Sequence, residues 1–134
     1  MEPEQDRAGL ARMIAHVNER WNIDAGRILL TGMSDGGTFT YLAGLAGGPY
    51  THLAPVSSAW HPMLIGGADP ARLQGLPVYI THGALDWMFN ADMARLASSE
   101  LSAAGADVTY REIADLSHTY PVEENARIMD WFLG

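Results

Sequence analysis

A chain of 134 residues that is 48% hydrophobic and 18% charged reads as one globular domain over 1–134, with enough apolar side chains to fill a core. Its formal net charge of -8, with no stretch dense in Arg, repels phosphate backbones and anionic headgroups, so no nucleic acid and no membrane surface is expected as a partner. Every basic residue is Arg and there is no Cys, which removes Schiff-base lysines, Walker-type phosphate loops, thiol nucleophiles, disulfides and thiolate metal centres.

The opening Met1-Glu2-Pro3-Glu4-Gln5-Asp6 is acidic, without the basic and apolar regions of a secretory signal, and no apolar run approaches the roughly 18 residues of a membrane span. The expectation is a soluble, cytoplasmic protein. Leu10, Met13, Ile14, Val17 and Trp21 then recur at helical spacing and predict an amphipathic helix. After a turn over 22–26, the continuously apolar run 27–31 predicts a buried parallel strand. A sharp turn at Gly32 leads into a second helix over 35–46, ended by Gly47-Gly48-Pro49.

Residues 53–57 predict a second strand, weakened by Pro55, and 77–81 a third, with a loop-rich stretch over 60–75 between them. Asn90 is placed to cap a helix that runs to Ala104 and stops at Gly105. Residues 108–113 alternate as a fourth strand. Pro121 suits a first helical position, with Val122, Ala126, Met129 and Leu133 as the expected buried stripe of a final helix. Strands alternating with helices predict an α/β fold: a three-layer sandwich with a short parallel sheet of about four strands flanked by helices. In such sheets, reactive groups gather at the carboxyl ends of the strands.

Three segments at those ends carry chemistry. Gly32-Met33-Ser34-Asp35-Gly36 is G-x-S-x-G between a predicted strand and a predicted helix, the context in which a serine is thrust out on a tight, strained turn. A serine hydroxyl is a weak nucleophile, so it requires a base, and the base requires an acid to fix its tautomer. Asp86 follows the third strand in His82-Gly83-Ala84-Leu85-Asp86-Trp87-Met88-Phe89, and the alternative task of capping the next helix is better filled by Asn90. His118 lies between the last strand and last helix, completing the order Ser, Asp, His.

With these segments in view, the chain resembles the carboxyl-terminal half of an α/β-hydrolase of the esterase, thioesterase and polyhydroxyalkanoate depolymerase branch. Residues 27–37 match the nucleophile elbow, 79–89 the His-Gly-x-x-Asp acid loop and 115–121 the histidine loop. The resemblance implies a minimal α/β-hydrolase with Ser34 as nucleophile, His118 as base and then acid, Asp86 as its orienting partner, and the backbone N–H of Asp35 as an oxyanion donor. Full members carry further strands and a loop that supplies a second oxyanion N–H; that donor has no visible source here, unless Gly36 or the Trp60-His61 region substitutes.

His82 reads as a structural residue of the acid loop and His16 as a solvated one. His52 and His61 lack metal-ligand spacing, so neither a metal nor a cofactor is expected. Trp60, Trp87, Met88 and Tyr120 are candidates for a substrate pocket. The expected function is hydrolysis of short carboxylic esters by a serine carboxylesterase-type enzyme acting on a small-molecule ester. Two rivals stand beside it: a catalytically silent binding or assembly module, and a fragment completed by another chain. The run 27–31 would leave an open apolar edge, from which a homodimer or higher homo-oligomer is expected.

Overall fold

Each short apolar run becomes a strand because it can bury both faces only inside a sheet covered by helices. The computed structural model describes residues 2–134. β1 (Leu29–Met33), β2 (His52–Val56), β3 (Pro77–Gly83) and β4 (Asp107–Ile113) form one parallel sheet in the order β1-β2-β3-β4. The helices are α1 (Pro3–Arg20), α2 (Asp35–Ala46), α3 (Met63–Gly66), α4 (Pro70–Leu73), α5 (Ala91–Ala103) and α6 (Glu124–Leu133). No described helix is long and apolar enough to cross a membrane.

A strand order that advances in one direction through right-handed crossovers places the crossover helices on one face. The main core lies there: Tyr41 and Leu45 of α2, Leu101 of α5, and Leu30, Leu53, Val78 and Ile80 from the sheet pack together, with Leu10 and Ile14 of α1 against them. Alternate strand residues point the other way, where Ala54 and Tyr79 meet Ile128 of α6 and partly buried Leu29 and Trp131. The sheet is thus the middle of three layers, as the sequence predicts.

Two expectations change. The stretch over 60–75 contains the short helices α3 and α4, the latter capped by Asp69, whose side chain accepts from the Ala71 N–H. In the last helix, Val122 and Leu133 are exposed at 65% and 51%, and Glu124 and Ile128 are buried instead. The helix begins after Pro121 and turns the 124/128 face to the sheet. Glu124 can occupy it because Arg111 Nε donates to both carboxylate oxygens at 3.1 and 3.2 Å. A hydropathy pattern assigns that carboxylate to water; the ion pair assigns it to the interface.

α2 lies close on the sheet: a Cβ on Gly44 would come within 2.3 Å of Leu53 Cδ2. Leu53 is fully buried at the centre of this contact. Leu53→Ala is therefore expected to lower the unfolding free energy by about 2–5 kcal/mol, the range for truncating a buried leucine where neighbours relax incompletely. Urea unfolding at neutral pH checks it.

Candidate active site

Parallel strands put all their carboxyl ends on one edge, so the loops after β1, β3 and β4 meet there. The first of these turns holds Ser34 at φ 57°, ψ -119°. This is strained for a residue with a Cβ, by about 1–3 kcal/mol. The surroundings enforce it: the Ser34 N–H donates to Val56 O at 2.9 Å, and the Thr38 N–H to Ser34 O at 2.9 Å. A Cβ on Gly32 would lie 2.5 Å from the Gly36 carbonyl, and one on Gly37 would lie 1.9 Å from Ser58 Oγ. At Gly36 a Cβ would meet nothing within 4 Å. Close approach therefore demands glycine at positions 32 and 37; at 36 there is room for a side chain.

The acid comes from the loop after β3. Asp86 Oδ1 accepts the N–H groups of Met88 and Phe89 at 2.9 and 2.8 Å. Its Oδ2 lies 2.9 Å from His118 Nδ1 and 3.4 Å from His82 Nε2. His82 is buried, and its Nε2 donates to Phe89 O at 2.8 Å, so it clamps the ends of the acid loop together. The histidine loop lies directly against this one. The Leu85 N–H donates to Leu116 O at 3.0 Å, and a Cβ on Gly83 would come within 2.2 Å of that same oxygen.

His118 closes the chain of contacts, with Nε2 3.0 Å from Ser34 Oγ. With Nδ1–H donating to the carboxylate, the neutral ring presents Nε2 as an acceptor for the serine hydroxyl. The edges of Trp87 and Phe89 meet the imidazole at centroid distances of 6.0 and 5.6 Å and limit its rotation. Burial alone would raise the Asp86 pKa. The hydrogen bonds from His118, Phe89 and Met88 outweigh it and hold the carboxyl below its ordinary range. The Asp86 carboxylate therefore stays ionised beside His118.

Ser34, Asp86 and His118 are thus brought together. Asp35 begins α2, where its N–H and that of Gly36 have no helical acceptor because the chain has no preceding turn. Trp87 and Met88 are exposed, and the Trp87 ring lies against His118. Tyr120 lies at the surface, its hydroxyl donating to Asn125 Oδ1. Trp60 is a correction: it is buried against Tyr41 and donates Nε1–H to Glu100 at 2.7 Å, so it belongs to the core and cannot line a pocket. His52 packs between Trp131 and Phe132, and no group of three His, Asp or Glu is arranged to hold a metal among the described residues.

No family model and no curated protein matches the chain by sequence. Solved structures do match it in three dimensions. An acyl-protein thioesterase 2 from Zea mays superposes at a TM-score of 0.75 with 18% identity, over 99% of this chain and 67% of that one. A phospholipase/carboxylesterase from Dyadobacter fermentans gives 0.77 and 18%, over 98% and 64%. SOBER1 from Arabidopsis thaliana gives 0.69 and 20%, over 98% and 61%. The chain has the α/β-hydrolase fold. It spans about three fifths of the length of the SOBER1 structures.

Within this α/β-hydrolase arrangement, sequence reasoning missed how the strand after Ser34 supports it. Ser57, directly after β2, sits at φ 46° with its hydroxyl buried and unpaired among the described residues, and Ser58 Oγ fills the space above Gly37. The only signal was the doublet Ser57-Ser58 at a strand end, which has no distinctive spacing.

The depressed Asp86 carboxyl sets a pH dependence. Its stabilisation is fully present above the unfolded pKa of about 4 and is lost as pH falls through the lower folded value. The stability difference between the protein and Asp86→Asn is therefore expected to be constant above about pH 5 and to narrow below about pH 4. Urea titrations across that range measure it.

Proposed function

We propose that the protein is a serine hydrolase of the carboxylesterase type, cleaving short carboxylic esters through an acyl-enzyme intermediate. The observation that carries the reading is the continuous contact from Asp86 Oδ2 through His118 to Ser34 Oγ, at 2.9 and 3.0 Å. The solved structures it resembles include proteins described as an esterase, a thioesterase and a phospholipase/carboxylesterase, which agrees with this class.

In the proposed reaction, Ser34 Oγ attacks the ester carbonyl carbon as His118 Nε2 takes the hydroxyl proton. Asp86 stabilises the imidazolium through Nδ1–H without itself being protonated. The carbonyl oxygen becomes an oxyanion beside the N–H of Asp35, with the Gly36 N–H next to it at the same helix start. His118 then gives its proton to the leaving alkoxide, and the acyl group remains on Ser34. Water enters and attacks the acyl carbon as it loses a proton to His118; the bond to Ser34 Oγ then breaks, His118 returns that proton to Oγ, and the carboxylic acid leaves. Side chains handle every proton, so the chemistry calls for no cofactor or metal.

We also infer self-association. β1 has a strand neighbour on one side only, and Trp21 and Ile23 are exposed at 60% and 40% in the turn that leads to this edge. An unpaired strand beside apolar surface favours pairing with a second copy. Sedimentation across a wide concentration range is expected to show a dimer that dissociates on dilution; a strictly monomeric protein would remove this part of the proposal.

For the reaction itself, Ser34→Ala and His118→Ala are each expected to lower kcat for p-nitrophenyl acetate by about ten-thousand-fold, and the double variant by little more. A fluorophosphonate probe should label the unaltered protein and not Ser34→Ala, and EDTA should leave the rate unchanged. Full turnover by Ser34→Ala overturns the assignment.

A further inference from the structure

Resting on the serine hydrolase reading, we propose that the groove between α1 and α2 is the acyl subsite, and that it takes an uncharged, unbranched acyl chain such as hexanoyl. The direction follows from proton transfer. His118 must reach the leaving oxygen to protonate it. The alcohol side of the ester therefore lies by His118, among the loops that follow β3 and β4, where Trp87 and Phe89 edge the imidazole. The acyl chain leaves the carbonyl carbon away from that oxygen, towards the β1 side of the elbow.

A cleft of about 500 Å³ has Asp35 and Gly36, the two residues that follow Ser34, in its lining. Its walls are Leu10 and Met13 of α1 and Phe39 of α2. Leu10 and Phe39 pack against the core and are held in place, whereas Met13 is 66% exposed and has no partner in the core to explain it. Two glycines keep the groove open: a Cβ on Gly36 would meet nothing within 4 Å, and one on Gly9 only the Arg12 guanidinium at 3.8 Å. From Asp6 to Met13 the lining follows two turns of α1, about 10 Å.

Chain length and charge both follow. Each methylene laid against Leu10, Met13 and Phe39 leaves water, so affinity rises with chain length until the groove is full. The carboxylates of Asp6 and Asp35 border the cleft, and they disfavour an acyl group that ends in a carboxylate of its own. The pocket residues expected from sequence, Trp87 and Met88, fall on the alcohol side in this arrangement.

Two readouts test the groove. The first is the ratio of kcat/KM for p-nitrophenyl hexanoate over p-nitrophenyl acetate. Gly9→Phe fills the groove, and Met13→Asp, at an exposed position that the fold does not depend on, puts a charge in its wall. Each is expected to lower the ratio by at least about tenfold. The second readout does not require turnover: in Ser34→Ala labelled with 13C at the methionine methyls, hexanamide should shift the Met13 resonance, assigned by its loss in Met13→Leu. That shift should disappear when Gly9→Phe is added. Hydrolysis with an unchanged ratio and an unmoved Met13 resonance overturns the acyl groove and leaves the serine hydrolase reading standing. No turnover and no fluorophosphonate labelling, with the Met13 shift present and lost in Gly9→Phe, upholds the groove as a binding site and overturns the reaction.

Discussion

The site depends on one close approach: the end of β1, the start of α2 and the end of β2 meet with no room for side chains between them. Ser34 N–H is bound to Val56 O, and Gly32 and Gly37 touch the Gly36 backbone and Ser58 where a Cβ would clash. These contacts fix the serine at φ 57° and so aim its hydroxyl. The strain of that backbone, about 1–3 kcal/mol, is small against the burial of α2 on the sheet, so the fold can hold it permanently. A flexible turn of the same sequence would relax to an ordinary helix cap, and His118 would have nothing to meet.

The same economy of space brings acid and base together. His118 is 32 residues beyond Asp86 and 84 beyond Ser34, yet all three lie within hydrogen-bond distance. Parallel pairing of β3 with β4 through seven residues, from Pro77↔Asp107 to Gly83↔Ile113, delivers both loops to one level. Gly83 then lets the loops touch, and the Ala84 and Leu85 N–H groups bind Ile113 O and Leu116 O across the gap. His82 closes the acid loop from beneath. It is a buried histidine whose ring ties loop backbone together through its bond to Phe89 O.

How much of this could be read in the sequence varied with the range of the interaction. Helix α2 matches its expected span 35–46, and Asn90 caps α5 through the Asp92 N–H, because those signals are local. The expected strand 27–31 became Leu29–Met33, since apolar content marks a buried segment without fixing where pairing starts. Trp60 and the last helix were misread for one shared reason. Trp60 is satisfied by Glu100, 40 residues away, and Glu124 is buried by Arg111 on a neighbouring strand. A tertiary hydrogen bond reverses the burial that hydropathy assigns, and no spacing in the chain announces it. The α1–α2 groove was equally hidden: Leu10 and Met13 read as one apolar stripe of an amphipathic helix, but no residue of α1 is fully buried.

Charge sets a final condition on the proposed chemistry, because a chain of net charge -8 must stabilise an oxyanion next to Asp35. The Asp35 side chain is exposed, so its repulsion acts largely through water, where two charges about 4 Å apart interact by about 1 kcal/mol. A hydrogen-bond donor aimed at a developing oxyanion is worth about 3 kcal/mol, and the start of a helix adds the partial positive charge of its unpaired N–H groups. The short-range term wins provided the oxyanion sits on the backbone N–H and not over the carboxylate. In the proposed reaction the two parts of Asp35 therefore oppose each other: its main chain would favour the transition state, while its exposed side chain, beside the groove, would sort acyl groups by charge.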